Sequence, residues 1–265
     1  MNPLVLNPVP GLTFLSEENG KPCHKHLLDG VEIPGCTSIS GLFQDDGWKF
    51  AWPPKLMAET IHAELNQHSG TDADVYVEIK RRSLNEIISK AKNAWRKKRD
   101  KAADTGTIAH GYIEDYIKHG VKAPPTAHTE VLNCFYEFLK WETAYGPEWH
   151  LSEAQVGSRT NRYGGILDAI ATVGGQLTLV DFKTSKDIKD DYAIQLAGLV
   201  LALEEMGVRV DCRAILHLPK EGEYEYRIID SDLKKDQEAF LAGLGFYRQK
   251  NLFAARCAKR KEQGQ

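Results

Sequence analysis

The sequence lacks any long apolar run: the longest, residues 196–203, falls far short of the roughly 20 residues that span a bilayer, so no membrane partner is expected. Cysteine is scarce and scattered. The five (Cys23, Cys36, Cys134, Cys212, Cys257) are odd in number and never form Cys-x-x-Cys, which excludes a disulfide framework or four-thiolate metal site and fits a reducing, cytoplasmic setting. There is no Gly-x-x-x-x-Gly-Lys-Ser/Thr phosphate loop, no Gly-x-Ser-x-Gly elbow and no His-Glu-x-x-His pair, so several large enzyme classes lose their usual signatures. The first dozen residues have no basic residue ahead of an apolar stretch and no Arg-rich amphipathic pattern, so neither a signal nor a transit peptide is expected. Charge of one sign is missing as well. Against 37 Asp plus Glu stand 34 Lys plus Arg, a net −3, which on its face argues against a nucleic-acid partner.

What is present is an ordinary globular composition, 42% hydrophobic and 27% charged over 265 residues. Residues 22–43 suggest a hairpin, with strands at 23–28 and 31–39 around Asp29-Gly30. Trp52-Pro53-Pro54 then suggests a break before a helix ending near His68-Ser69-Gly70. Apolar spacing predicts a long helical stretch from Leu84 through Trp95, resuming to Ile117 and stopped by Gly120, and another helix over 129–145. Beyond residue 150 the period falls to two. Strands are expected at 151–158, 163–173, 177–183, 210–218 and 224–229, with helices over 190–206 and 233–250. The expected class is α/β: a central mixed β-sheet flanked by helices, with an N-terminal hairpin and helical elaboration (residues 1–100) on a core of residues 101–250, all in one domain.

Within that core, Gly174-Gly175 is a favoured two-residue hairpin turn. If it closes the hairpin, Asp168 and Asp181 face each other, and Lys183 projects from the same face. Ile166, Ile170, Leu177 and Leu179 would share that face, and Leu167, Ala169, Val180 and Phe182 the other. Two facing carboxylates in a half-buried sheet repel unless a cation lies between them. Lys183 could serve in a structural Asp–Lys pair; a divalent cation such as Mg²⁺, which favours carboxylate and carbonyl oxygens, could hold both.

Gly165-x-x-Asp168 followed by Asp181-x-Lys183 resembles the PD-(D/E)XK nuclease signature, in its RecB-type exonuclease branch, which includes phage recombination and mitochondrial genome-maintenance exonucleases. Gly106-Thr107-x-x-His110 with Glu114, Glu153 with Val156, Asp181-Phe182-Lys183-Thr184-Ser185 and Tyr192-x-x-Gln195-Leu196 resemble further motifs of that branch in the same order. The later Tyr common after the glutamine is Leu199 here. The resemblance implies a restriction-endonuclease-like core and a metal-dependent DNA exonuclease. His110, Asp168, Asp181 and the Phe182 carbonyl would ligate one or two Mg²⁺ or Mn²⁺ ions. Lys183 would position or help deprotonate the attacking water, and Gln195 would orient Lys183 or the phosphate. Glu153 joins the catalytic set, Glu114 stands behind it or toward substrate, and Tyr192 lies among the DNA contacts. A setting in phage-type recombination or repair follows, with DNA ends as substrate and a recombinase or single-strand annealing protein as partner. A structure-specific or restriction-like endonuclease, or a non-catalytic DNA-binding module, is compatible with the same motifs.

The near-zero net charge also conceals a polarity. Residues 79–101 hold ten Lys or Arg against Glu86 and Asp100, a net +8 that leaves −11 elsewhere. Arg96, Lys97 and Arg99 are the expected phosphate contacts, and Trp95 is a core residue or a base-stacking one. Cys23-His24-Lys25-His26 puts both histidines on one strand face and the cysteine on the other, with no fourth ligand, so zinc is not expected there. With only Cys212 and Cys257 downstream, no iron–sulfur cluster is expected either.

Overall fold

The computed structural model describes residues 4–18, 21–44, 47–66 and 81–262. Two compact units emerge, Met1–Gln44 with Ala109–Gln265, and Asp45–Ile108. In chain order the elements are β1 Leu12–Glu18, β2 Lys21–Leu28, β3 Val31–Ile33, α1 Cys36–Ser40, α2 Gly47–Asn66, α3 Arg81–His119, α4 Thr129–Tyr145, β4 Glu148–Ser158, β5 Tyr163–Val173, β6 Gln176–Lys183, α5 Asp191–Glu205, β7 Cys212–His217, β8 Glu225–Ile228 and α6 Leu233–Glu262. Among the described residues no helix is long and apolar enough to cross a membrane.

The larger unit is built on a five-stranded sheet in the order β4-β5-β6-β7-β8, beside a three-stranded antiparallel sheet β1-β2-β3. Among the described strands only β6 and β7 pair in parallel, and α5 supplies the crossover that a parallel pair requires. Helices cover both faces. On one, Cys36 and Ile39 of α1, Leu196 to Leu203 of α5 and Phe240 and Leu244 of α6 pack on Ile170, Leu179 and Ile215. On the other, Ala109 and Ile113 of α3 and Val131, Cys134, Phe135, Phe138 and Trp141 of α4 pack on Ala169, Ala171, Val180 and Phe182.

These helices follow from their spacing. The α4 stripe recurs at three- and four-residue steps, and the helix stops at Gly146, whose φ of 55° is the left-handed cap that glycine adopts without steric cost. Helix α5 is apolar nearly all round because sheet and α6 cover it on opposite sides; Gly198 lets the Phe240 ring of α6 press onto its backbone. In the smaller unit, Lys90 of α3 reaches Glu64 of α2 at 2.9 Å.

Several expectations are corrected. The strand expected over 31–39 ends at Ile33, because Pro34 lacks the N–H a ladder needs, and residues 36–40 coil into α1. Strand β1 was not anticipated. Pro53 and Pro54 lie inside α2 rather than ahead of it; the helix continues without the two N–H groups they cannot supply. Its expected end near His68-Ser69-Gly70 lies outside the described residues. Helix α3 runs unbroken through Gly106 and Gly111, and α6 continues to Glu262 instead of stopping near residue 250.

Candidate metal and catalytic centre

Three adjacent strands bring three carboxylates into one row. The β5–β6 ladder has the register that the Gly174-Gly175 turn predicts, from Val173 opposite Gln176 to Ala169 opposite Val180; one step further, Asp168 stands across from Asp181. There the ladder gives way to a side chain, as Asp168 Oδ2 accepts the Phe182 N–H at 2.6 Å. On the other side of β5, Ser152 opposes Ala169 and Ala154 opposes Leu167, so Glu153 falls opposite Asp168. Glu153 has φ 48°, a left-handed conformation costing a non-glycine residue about 1–2 kcal/mol, and a bulge lies just upstream between Trp149 and Leu151.

The β5–β6 ladder ends at Ala169 opposite Val180, and the face assignment of β5 is corrected there. Leu167 and Ile170 both pack into the core beneath α5, whereas Ala169 and Ala171 face α4. Ile166, expected beside Ile170, instead lines a cavity of about 420 Å³ under the β1–β3 sheet. A strict period of two presupposes an unbroken ladder, and the ladder breaks at Asp168.

Helix α3 delivers His110 to this row: Nδ1 lies 3.7 Å from Asp168 Oδ1, and its ring meets Phe182 edge-on. Ligand atoms of His110, Glu153 and Asp168 all lie within 4.8 Å of one another. Phe182 is anchored in turn, because Phe138 and Trp149 pack on it. Gly165, three residues before Asp168, lets β5 approach Leu199 and Cys36; a Cβ there would sit 2.8 Å from Leu199 and 3.0 Å from the Cys36 sulfur.

Asp181 and Lys183 point to the α5 side, as alternation from Leu179 requires. Lys183 Nζ lies 2.6 Å from Asp181 Oδ2 and forms a buried ion pair with it. The Gln195 Oε1 accepts from Nζ at 3.4 Å, and Gln195 Nε2 faces Thr37 Oγ1 at 3.5 Å. Tyr192, expected among the DNA contacts, is 8% exposed and holds its ring 4.8 Å from Nζ. Glu114, one turn past His110, pairs with Lys118 at 2.5 Å.

The electrostatics describe a carboxylate-rich centre short of positive charge. Burial first, and then the charges of Asp168 and Glu114, push the Glu153 carboxyl up to about 8. Burial also raises Asp181, against the downward pull of Lys183. Burial alone would lower Lys183, but Asp181 and Asp168 outweigh it and raise its pKa, so Lys183 is an ammonium at neutral pH. A hard or borderline divalent cation fits this donor set, an imidazole nitrogen with clustered carboxylate oxygens of Glu153 and Asp168. Because Glu153 holds a proton that the unfolded chain would release, its stabilising contribution is complete below the ordinary glutamate range and is lost as pH rises through 8. Thermal melts of metal-free protein are therefore expected to fall in midpoint between pH 6 and pH 9, with Glu153→Gln flattening the fall. Added Mg²⁺ is expected to stabilise most at the alkaline end, where the carboxylate is free to bind it.

Arg96, Lys97 and Arg99 lie on the part of α3 that belongs to the smaller unit. Lys97 and Arg99 are exposed, with Arg99 2.7 Å from Asp100; the Arg96 and Trp95 side chains lie outside the described residues. The pattern missed one neighbour of the site, His217, which carries no motif of its own.

No protein-family model matches the chain, and no curated protein sequence matches it. Among solved structures it is similar to the crystal structure of an alkaline exonuclease (LHK-Exo) from Laribacter hongkongensis, at 15% identity over 57% of this chain and 84% of that one, with a TM-score of 0.33. The complex of LHK-Exo with dAMP matches at 15% identity over the same shares, with a TM-score of 0.31. The structure of SSO0001 matches at 12% identity over 73% of this chain and 85% of that one, with a TM-score of 0.27. At these scores the likeness is a loose correspondence of backbones.

Proposed function

We propose that this chain is a divalent-metal-dependent DNA nuclease that hydrolyses phosphodiester bonds near DNA ends. The observation that carries this reading is the convergence of His110, Glu153 and Asp168 within 4.8 Å beside a buried Asp181–Lys183 pair at 2.6 Å. The PD-(D/E)XK-like spacing of the sequence supports it. His110, Glu153 and Asp168 would hold one Mg²⁺ or Mn²⁺ ion, with Asp181 and the Phe182 carbonyl available to it or to a second. When bound, the cation supplies Lewis acidity toward the phosphate and makes water a better nucleophile at neutral pH.

The chain's own residues do the rest. The Lys183 ammonium, already protonated, orients water or a phosphate oxygen and offsets the negative charge that grows during attack, instead of serving as the initial base. Gln195 fixes that ammonium from α5. Water adds across a P–O bond, and the departing sugar oxygen takes up a proton. The setting proposed is cytoplasmic, in recombination or repair of the phage type, with a recombinase or annealing protein as partner.

The basic stretch of α3 is proposed to carry the phosphate backbone. Replacing Arg96, Lys97 and Arg99 together with alanine is expected to weaken DNA binding and reduce the slope of log K against log salt by about 2–3; fluorescence anisotropy across a salt series reads both. The exonuclease reading is tested with linear and covalently closed circular DNA in Mg²⁺ or Mn²⁺. Linear DNA is expected to shorten from its ends while circles stay intact. Cut circles would replace the reading with an endonuclease, and no cleavage of any form would return the chain to a DNA-binding module.

A further inference from the structure

The turn between β6 and α5 is tied to the neighbouring strand by a buried histidine. His217 ends β7 directly beside Lys183 in the parallel ladder, where the Leu218 N–H bonds the Lys183 carbonyl at 2.8 Å. Its side chain turns inward, 8% exposed for the residue, with Nε2 2.6 Å from the Ser185 carbonyl oxygen. A carbonyl can only accept, so Nε2 must carry the hydrogen. Ser185 Oγ donates to the Asp187 carbonyl at 2.9 Å, which leaves the Tyr192 hydroxyl, 3.1 Å away, to donate to Ser185. The ring of that tyrosine lies 4.8 Å from Lys183 Nζ.

We propose that His217 is a positioning residue for Lys183, acting through the Ser185 backbone and hydroxyl and the Tyr192 ring. This rests on the nuclease reading for its kinetic consequence, though not for its geometry. The physical need is specific. Lys183 has a long, flexible stem, and it sits between Asp181, Asp168 and the substrate side. Gln195 grips it weakly at 3.4 Å. Asp181 holds the Lys183 ammonium at 2.6 Å, and a lysine that is also to offset charge at a phosphate oxygen needs further contacts to fix its direction. The Tyr192 face supplies a second, directional attraction; core packing on α5 seats the ring, and the bond of its hydroxyl to Ser185 sets how it meets Nζ. The 184–190 segment carrying Ser185 belongs to no strand or helix; Ile188 packs on the core, and the end near Lys183 is tied by side chains. His217 is the tie from the sheet, and groups standing behind a catalytic group in this way commonly carry about 10–100-fold in activity.

The test compares wild type, His217→Val, His217→Gln and Tyr192→Phe. Steady-state cleavage of linear DNA in Mg²⁺ gives kcat and KM, and the ¹H–¹⁵N resonance of the Lys183 ammonium reports immobilisation independently of activity. His217→Val is expected to lower kcat about 10–100-fold with KM within twofold, and to lose the slowly exchanging ammonium signal. Glutamine, which offers an N–H donor of similar reach, is expected to restore both. If the valine variant does not fold, Tyr192→Phe, which removes only the hydroxyl, is expected to move kcat and the resonance in the same direction. Unchanged kcat and resonance in these variants, or a folded glutamine variant that rescues neither, would overturn the proposal. Wild-type protein with no metal-dependent cleavage would remove the nuclease reading alone, and the ammonium resonance would still decide the positioning role.

Discussion

Asp168→Asn protein is expected to fold normally and to lose about 10³-fold or more of metal-dependent cleavage. The substitution is nearly isosteric, and its amide oxygen can still accept the Phe182 N–H now held at 2.6 Å, so the end of the β5–β6 ladder keeps its bond. What disappears is the charge shared between His110, Glu153 and Asp181. The donor set loses its central carboxylate, and several kcal/mol of charge stabilisation in the transition state go with it. Metal-free stability should hold or rise, because Asp168 is one of the charges that push the Glu153 carboxyl up to about 8. Cleavage assays with calorimetric Mn²⁺ titration check this: weak binding and lost activity in a protein with an undiminished melting midpoint.

Lys183→Ala is expected to cost about 10²–10³-fold in kcat, the scale seen when one preorganised donor is removed from a developing charge. It also differs from Asp168→Asn in stability. Removing one partner of a buried ion pair commonly costs about 3–5 kcal/mol. Here the cost falls at the low end near neutral pH, since burial already raises the Asp181 pKa and the lysine was pulling it down. Without Lys183, Asp181 stays protonated to higher pH. Its folded pKa then lies further above the unfolded value, so stability is present at low pH and is lost more steeply than in wild type as pH rises. Melts across pH show whether the slope steepens, and Mg²⁺ should restore part of the loss.

Much of this centre is legible in the sequence because it depends on local rules. Gly174 and Gly175, at φ 58° and 82°, dictate a hairpin whose register places Asp168 across from Asp181, and the Val131-to-Trp141 stripe ending at Gly146 dictates α4. What the sequence does not reveal depends on contacts distant along the chain. Glu153 is in the expected catalytic set by resemblance, but its place opposite Asp168 depends on the four-residue turn 159–162, whose Arg162 adopts φ 47°, and on a bulge with no glycine to announce it. Leu167 changes face where the β5–β6 ladder ends. Residues 36–40 look extended by composition yet coil into α1, where Cys36 and Ile39 fill the core under α5. The His217 tie to Ser185 requires β7 to lie parallel to β6, a pairing set by the crossover and not by either strand's own pattern.

Glu153 adopts φ 48° opposite Asp168, and the proposed centre rests on its meeting with His110 and Asp168. The most direct test is a time course on end-labelled linear DNA, with purified wild type in Mg²⁺, the same protein in EDTA, and Asp168→Asn in Mg²⁺. Release of label by wild type in Mg²⁺, with none in the other two, is the expected result; equal release in EDTA or by the variant would contradict a metal-dependent centre at His110, Glu153 and Asp168.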